Sequence, residues 1–153
     1  MRNEGADPIN SHLRPGVGHL EQVEIDFEPR CDDGSLPERS VWRDWYLHLT
    51  DATDRLNRPI AYNHNTEQVL RDSGFVDVTT LRISIPIGEW RPGRITLGRW
   101  MRVALAEAVE PLSLAVLTRP FYSWPAQDVK EYCREVSQTV NCAEYHAYHN
   151  LYV

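Results

Sequence analysis

Glu24, Asp26 and Glu28 recur at every second position of the chain, and every second side chain of a strand shares one face. Three carboxylates so aligned can orient a substrate amine, contact a basic partner, or pair with an arginine from a packed helix. Val23, Ile25 and Phe27 alternate with them, so the segment reads as a strand with one buried face, or one whose polar side looks into a cleft. His146 and His149 are a second candidate pair. Three residues apart on a strand they point to opposite faces, which defeats chelation of one metal ion. Gly16-Val17-Gly18 is a close glycine pair, but it precedes the strand and follows none, as a phosphate- or cofactor-cradling loop would have to. Trp45 and Trp100 lie on helical apolar stripes, and at that spacing they read as packing rather than as walls of a methyl-substrate cage.

The elements that would hold these residues follow from pattern. Leu20 to Phe27 is the first strand. After Pro29 and the turn Cys31-Asp32-Asp33-Gly34, Ser35-Leu36-Pro37-Glu38 fits a capping box and predicts a helix start. Val41, Trp45, Leu49, Ala52 and Leu56 share one face and carry that helix to about Asn57. A shorter helix runs from Thr66, as N-cap, to Ser73, with Gly74 in the left-handed position. Phe75 to Ile85, rich in Val, Ile and Thr, predicts a long strand. Leu97, Trp100, Met101, Ala104, Leu105 and Ala108 form a helical stripe that ends before Pro111, and a short helix from Ser113 to Thr118 follows. Pro125 opens the last helix, with Val129, Cys133, Val136 and Val140 on its inner face. Ala143 to Val153 reads as a closing strand. Strand, helices, strand, helices, strand implies an α/β domain with a parallel crossover.

Composition narrows the function classes. Of 153 residues, 42% are hydrophobic and 25% charged, which suits a globular domain. Sixteen Lys and Arg against 22 Asp and Glu give a net charge of −6, and no basic stripe suggests direct nucleic-acid binding. The longest uncharged apolar run, Pro111 to Thr118, is far shorter than the ~20 residues of a membrane helix, so no membrane association is expected. Met1 to Asn10 is polar and aperiodic, a loose arm rather than a signal or transit segment. Cys31, Cys133 and Cys142 are odd in number and lack zinc-ligand spacing, which fits a reducing compartment and structural or incidental thiols.

Several runs resemble one family. Ser11-His12-Leu13-Arg14-Pro15-Gly16, then Glu21 to Asp33, Arg58-Pro59-Ile60-Ala61, Asp72-Ser73-Gly74-Phe75, Leu112-Ser113-Leu114-Ala115, Tyr122-Ser123-Trp124-Pro125 and His146-Ala147-Tyr148 look like the C-terminal half of the LaeA-like fungal methyltransferases, which regulate secondary metabolism. The resemblance spans residues 11–153 and implies part of a class I, Rossmann-like, S-adenosylmethionine-dependent fold whose strand order is 3-2-1-4-5-7-6. The first strand here would be the fifth, Phe75 to Ile85 the sixth and Ala143 to Val153 the antiparallel seventh, with helices on both faces and no counterpart of the first four. It further implies velvet-family partners, a nuclear location, and a structural or cleft-lining role for His146. S-adenosylmethionine is the cofactor by resemblance. The family's glycine loop precedes the segment matched here, so this chain alone is expected not to bind it. Two readings follow: a fragment of a nuclear methyltransferase regulator, or a non-catalytic module that binds velvet-family partners. Without a fourth strand, the open edge of the fifth invites self-association.

Overall fold

The computed structural model describes residues 12–153, and the arm expected over 1–10 lies outside them. Its elements are β1 (Glu24–Arg30), α1 (Val41–Arg55), α2 (Thr66–Asp72), β2 (Arg82–Pro86), α3 (Ile95–Leu117), α4 (Ala126–Val140) and β3 (Tyr148–Tyr152). The sheet order is β1-β3-β2. β3 runs antiparallel to both neighbours, so β1 and β2 are parallel to each other without touching. The connection from β1 through α1 and α2 to β2 is thus the expected parallel crossover, with β3 inserted between the two strands so that every hydrogen-bonded pair in the sheet is antiparallel.

All three strands differ from their sequence-based bounds for one reason. β3 has regular backbone only from Tyr148 to Tyr152, and it is the partner of both others. β1 therefore begins at Glu24, opposite Tyr152, instead of at Leu20, and runs past a bulge between Asp26 and Arg30. Pro29, which has no N–H to give, sits in that irregular stretch of an edge strand, where proline is tolerated. β2 shrinks from Phe75–Ile85 to Arg82–Pro86, and Asp77 takes a positive φ of 55° that breaks the extended run before it. Strand propensity without a partner makes no strand.

The helices hold the core. α1 starts later than the expected capping box, at Ser40, whose backbone is extended and whose side-chain oxygen accepts the Arg43 N–H at 3.3 Å. Ser35 is taken elsewhere and Leu36 is buried in the core. Asn65, not Thr66, precedes α2, because the Thr66 hydroxyl donates to the Asn63 carbonyl. Gly74 has the left-handed φ, 92°, that its position demands. Pro111 lies inside α3 instead of ending it. The long contact with α4 carries the helix across the site, with Ser137 donating to the Ala106 carbonyl at 3.2 Å. The inner face of α4 is as expected, with Val129, Cys133, Val136 and Val140 all buried.

α1, α3 and α4 pack on one another, α1 reaching β1 and α3 reaching β2. α2 stands outside this bundle. Trp42, Trp45, Leu49, Val109, Leu117, Val129 and Val136 form its centre. Trp45 is fully buried, and its indole N–H donates to Ser113 Oγ at 2.8 Å, which in turn donates to the Val109 carbonyl at 2.6 Å. Burial of the polar N–H is thereby offset. Trp100 is the correction: it is 67% exposed, since the inward face of α3 is set by Leu105, Val109, Val116 and Leu117 and Trp100 lies off it.

Candidate functional site

The three carboxylates of the first strand do not form one group. Glu24 is exposed at the start of β1, where it accepts from Gln22 at 3.0 Å. Asp26 is 1% exposed and Glu28 is partly exposed. Arg30 joins these two, its Nη2 lying 2.8 Å from Asp26 Oδ2 and 2.5 Å from Glu28 Oε2. The other Asp26 oxygen accepts the Glu28 N–H at 3.1 Å. Burial opposes the charge on Arg30, and the two carboxylates more than offset that, holding the guanidinium above its ordinary value. Tyr46, from α1, is pushed up to about 12 by burial first and by Asp26 and Glu28 second. Asp26 is thus spent on its own strand's arginine, so the partner is an arginine of the sheet rather than of a helix.

His149 lies beside this group, wholly buried, with edge-to-face contacts to Phe27 and Trp42 at 5.8 and 5.9 Å between ring centres. Burial pushes its pKa down to about 4, against the charge of Asp26. It is a neutral core histidine.

The exposed chemistry sits just beyond β1, in the turn Cys31 to Ser35, where the start of β3 and the loop after β2 converge. His146 Nδ1 meets Asp33 Oδ2 at 2.5 Å, and the His146 ring stacks on Trp90 at 5.3 Å. Asp33 Oδ1 also accepts from the Ser35 N–H at 3.0 Å and from Cys31 Sγ at 3.1 Å. These donors, the Ser35 backbone first, hold its carboxyl far below the usual range. Asp32 accepts from the Tyr148 hydroxyl at 2.8 Å, and Ser35 Oγ accepts the His146 N–H at 2.8 Å. Because Asp33 is ionised, the imidazole carries its neutral-form proton on Nδ1 and presents Nε2 as its basic nitrogen. Such a histidine can accept a proton or orient a polar group at the mouth of the sheet.

Sequence reasoning located His146 and missed its partner. Cys31-Asp32-Asp33-Gly34 reads as a polar turn, and only the return of β3 brings His146 to Asp33 across 113 positions. The two histidines are apart for a different reason than expected: His146 precedes β3 and is half-buried, and His149 is on β3 in the core. Among the described residues no cluster of His, Cys, Asp and Glu could hold a metal ion, and none of the helices is long and apolar enough to cross a membrane.

The glycine pair does not fit a cofactor cradle. Gly18 donates its N–H to the Arg14 carbonyl at 2.8 Å, and a Cβ there would meet Leu13 Cβ at 2.9 Å and the Arg14 backbone at 3.1 Å. The chain's own tight turn requires glycine at this position, and the turn consumes the N–H that a ligand would need.

No protein-family model matches the chain, and no solved structure matches it. Curated relatives do. The secondary metabolism regulator LAE1 of Cochliobolus heterostrophus is 42% identical over 95% of this chain and 48% of its own length. LaeA of Emericella nidulans, named a protein-methionine methyltransferase, is 38% identical over 95% of this chain and 39% of itself. A regulator from Gibberella zeae stands at 34%, over 95% of this chain and 46% of its own length. The chain spans about half the length, or less, of the curated relatives it matches. Over nearly its whole extent, then, it is a homologue of the LaeA/LAE1 secondary metabolism regulators.

Proposed function

We propose that this chain forms the substrate-side part of an S-adenosylmethionine-dependent methyltransferase domain in a nuclear regulator of secondary metabolism, and that on its own it serves as an interaction module for velvet-family proteins. The observation that carries the methyltransferase reading is the sheet order β1-β3-β2 with the middle strand reversed. That order matches strands 5, 7 and 6 of the class I fold, and the homology to a named methyltransferase supports it. In that frame the Asp33–His146 pair stands at the C-terminal end of β1, the side on which open α/β sheets bind ligands. His146 would there orient a polar group of the methyl acceptor.

The interaction-module reading rests on the Gly16–Gly18 turn, which closes on itself. Titration of S-adenosylmethionine into the 153-residue chain by calorimetry tests it. No binding is expected, and micromolar binding with amide shifts at Gly16–Gly18 would overturn the reading that this turn is no cofactor cradle. Co-purification with a velvet-family protein tests the partner, and failure to associate at micromolar concentration would count against the module.

A further inference from the structure

His146 meets a partner on two sides. Asp33 takes its Nδ1 edge, and the indole of Trp90 covers one ring face, with 5.3 Å between ring centres and 26° between planes. Trp90 belongs to the loop between β2 and α3, residues 87–94, and that loop is fastened at both ends and in its middle. At its start the Ile87 N–H donates to the Ala147 carbonyl at 2.9 Å, and the Gly88 N–H donates to the Gly98 carbonyl of α3, also at 2.9 Å. Loop and helix backbones touch there. A Cβ on Gly98 would lie 1.9 Å from the Gly88 carbonyl oxygen, so glycine alone allows the approach. Glu89 then grips α3 with both carboxylate oxygens, each accepting from Arg99 at 3.0 Å, and Arg102 Nη2 joins at 3.4 Å. At the far end Arg94 Nη1 donates to the Ser84 carbonyl of β2 at 2.9 Å.

Between these anchors the Trp90 indole N–H donates to the Ala147 carbonyl at 3.0 Å, one residue beyond His146. The His146 N–H donates to Ser35 Oγ at 2.8 Å. The turn after β1 therefore fixes the backbone and one ring edge of His146, and the β2–α3 loop fixes the ring face. An imidazole bonded at one edge alone keeps a broad choice of ring rotation, and an aromatic surface against its face removes that freedom. The Glu89 ion pairs lie on the surface, where such pairs add little to folding; their effect falls on the loop.

We propose that Trp90 is the positioning residue of the Asp33–His146 site: its ring sets the plane of the imidazole, so that Nε2 keeps one direction, and Glu89 and Gly98 hold Trp90 in place from α3. The use made of that nitrogen, orienting a polar group of the methyl acceptor, rests on the methyltransferase reading; the seating of the ring does not.

The test is nitrogen-15 NMR of the imidazoles in the 153-residue chain, at a pH where His146 is neutral, together with Overhauser contacts between the Trp90 and His146 rings. The unaltered chain is expected to show those contacts and one His146 tautomer, protonated at Nδ1. In Trp90→Ala the two nitrogen signals should move toward the average of both tautomers, and Trp90→Phe, which keeps a ring and loses the N–H, should restore the separation. Glu89→Ala leaves the core untouched and is expected to lose the ring contacts, which decides the matter should Trp90→Ala not fold. An unchanged tautomer signature in folded Trp90→Ala, averaging in Trp90→Phe as well, or full ring contacts in Glu89→Ala would overturn the proposal. A lower melting temperature with the signature intact would reduce Trp90 to packing and overturn it equally. A failure of the methyltransferase reading leaves all of these signals as they are.

Discussion

The two ends of the three-stranded sheet differ in composition and in fate: the polar end is tied shut and the β-branched one is not. At the Arg30 end, the turn after β1, the start of β3 and the loop after β2 are tied together by Asp33 to His146, Asp32 to Tyr148, and both the Ile87 amide and the Trp90 indole to the Ala147 carbonyl. At the Glu24 end, residues 76–80, with two Val and two Thr, form no backbone-to-backbone hydrogen bond among the described residues. The difference teaches that closure comes from a returning chain, not from local propensity: the Arg30 end is tied by the polar side chains that the start of β3 brings back to the turn after β1.

Removing the support beneath the closed end is the strongest way to break the contrast. Trp42 is 1% exposed and packs on His149, so Trp42→Ala is expected to cost about 3–5 kcal/mol in chemical denaturation. Trp100→Ala, on an exposed surface, is expected to stay within about 0.5 kcal/mol. Equal losses would refute the placement of the core.

Acid attacks the same end more gently. His149 titrates near 6.5 when unfolded and about 4 when folded, so between those values the unfolded chain binds the extra proton. Its contribution is complete above about pH 6.5 and lost as pH falls toward 4, a decline of about 3 kcal/mol. His149→Gln should remove that pH-dependent part of the stability curve, and an unchanged slope would place the titration elsewhere.

The smallest effect belongs to the exposed latch. In Asp33→Ala the His146 and Ser35 amides should exchange faster while the melting temperature moves little. A carboxyl titration at Asp33 within the ordinary carboxylate range, followed by NMR in the unaltered chain, would contradict its hydrogen bonds.

How much of this could be read from sequence depended on whether a residue's fate was local. The inner face of α4 and the left-handed Gly74 were legible because helix period and turn geometry act over a few residues. Asp26 was legible as a strand residue and illegible as the partner of Arg30, since the bulge that brings Arg30 back to it depends on the register with β3. Trp100 misled because it stands at helical spacing from Leu97 and Ala104, while packing against α1 and α4 selected the stripe through Leu105 and Val109. The Asp33–His146 pair was invisible because nothing local announces a contact between a polar turn and a strand over a hundred positions away.

The bulge in β1 also bears on how copies of this chain behave when crowded. Among the described residues its outer edge has no strand beside it, and β1 keeps regular register only over Glu24, Ile25 and Asp26 before it shifts and Pro29 interrupts the amides. An inward-facing carboxylate, a bulge and a proline are the devices by which edge strands resist stacking. Any pairing of one copy with another along β1 is therefore confined to one short stretch. Such pairing would be reversible on dilution and would lack the length needed to seed a fibre.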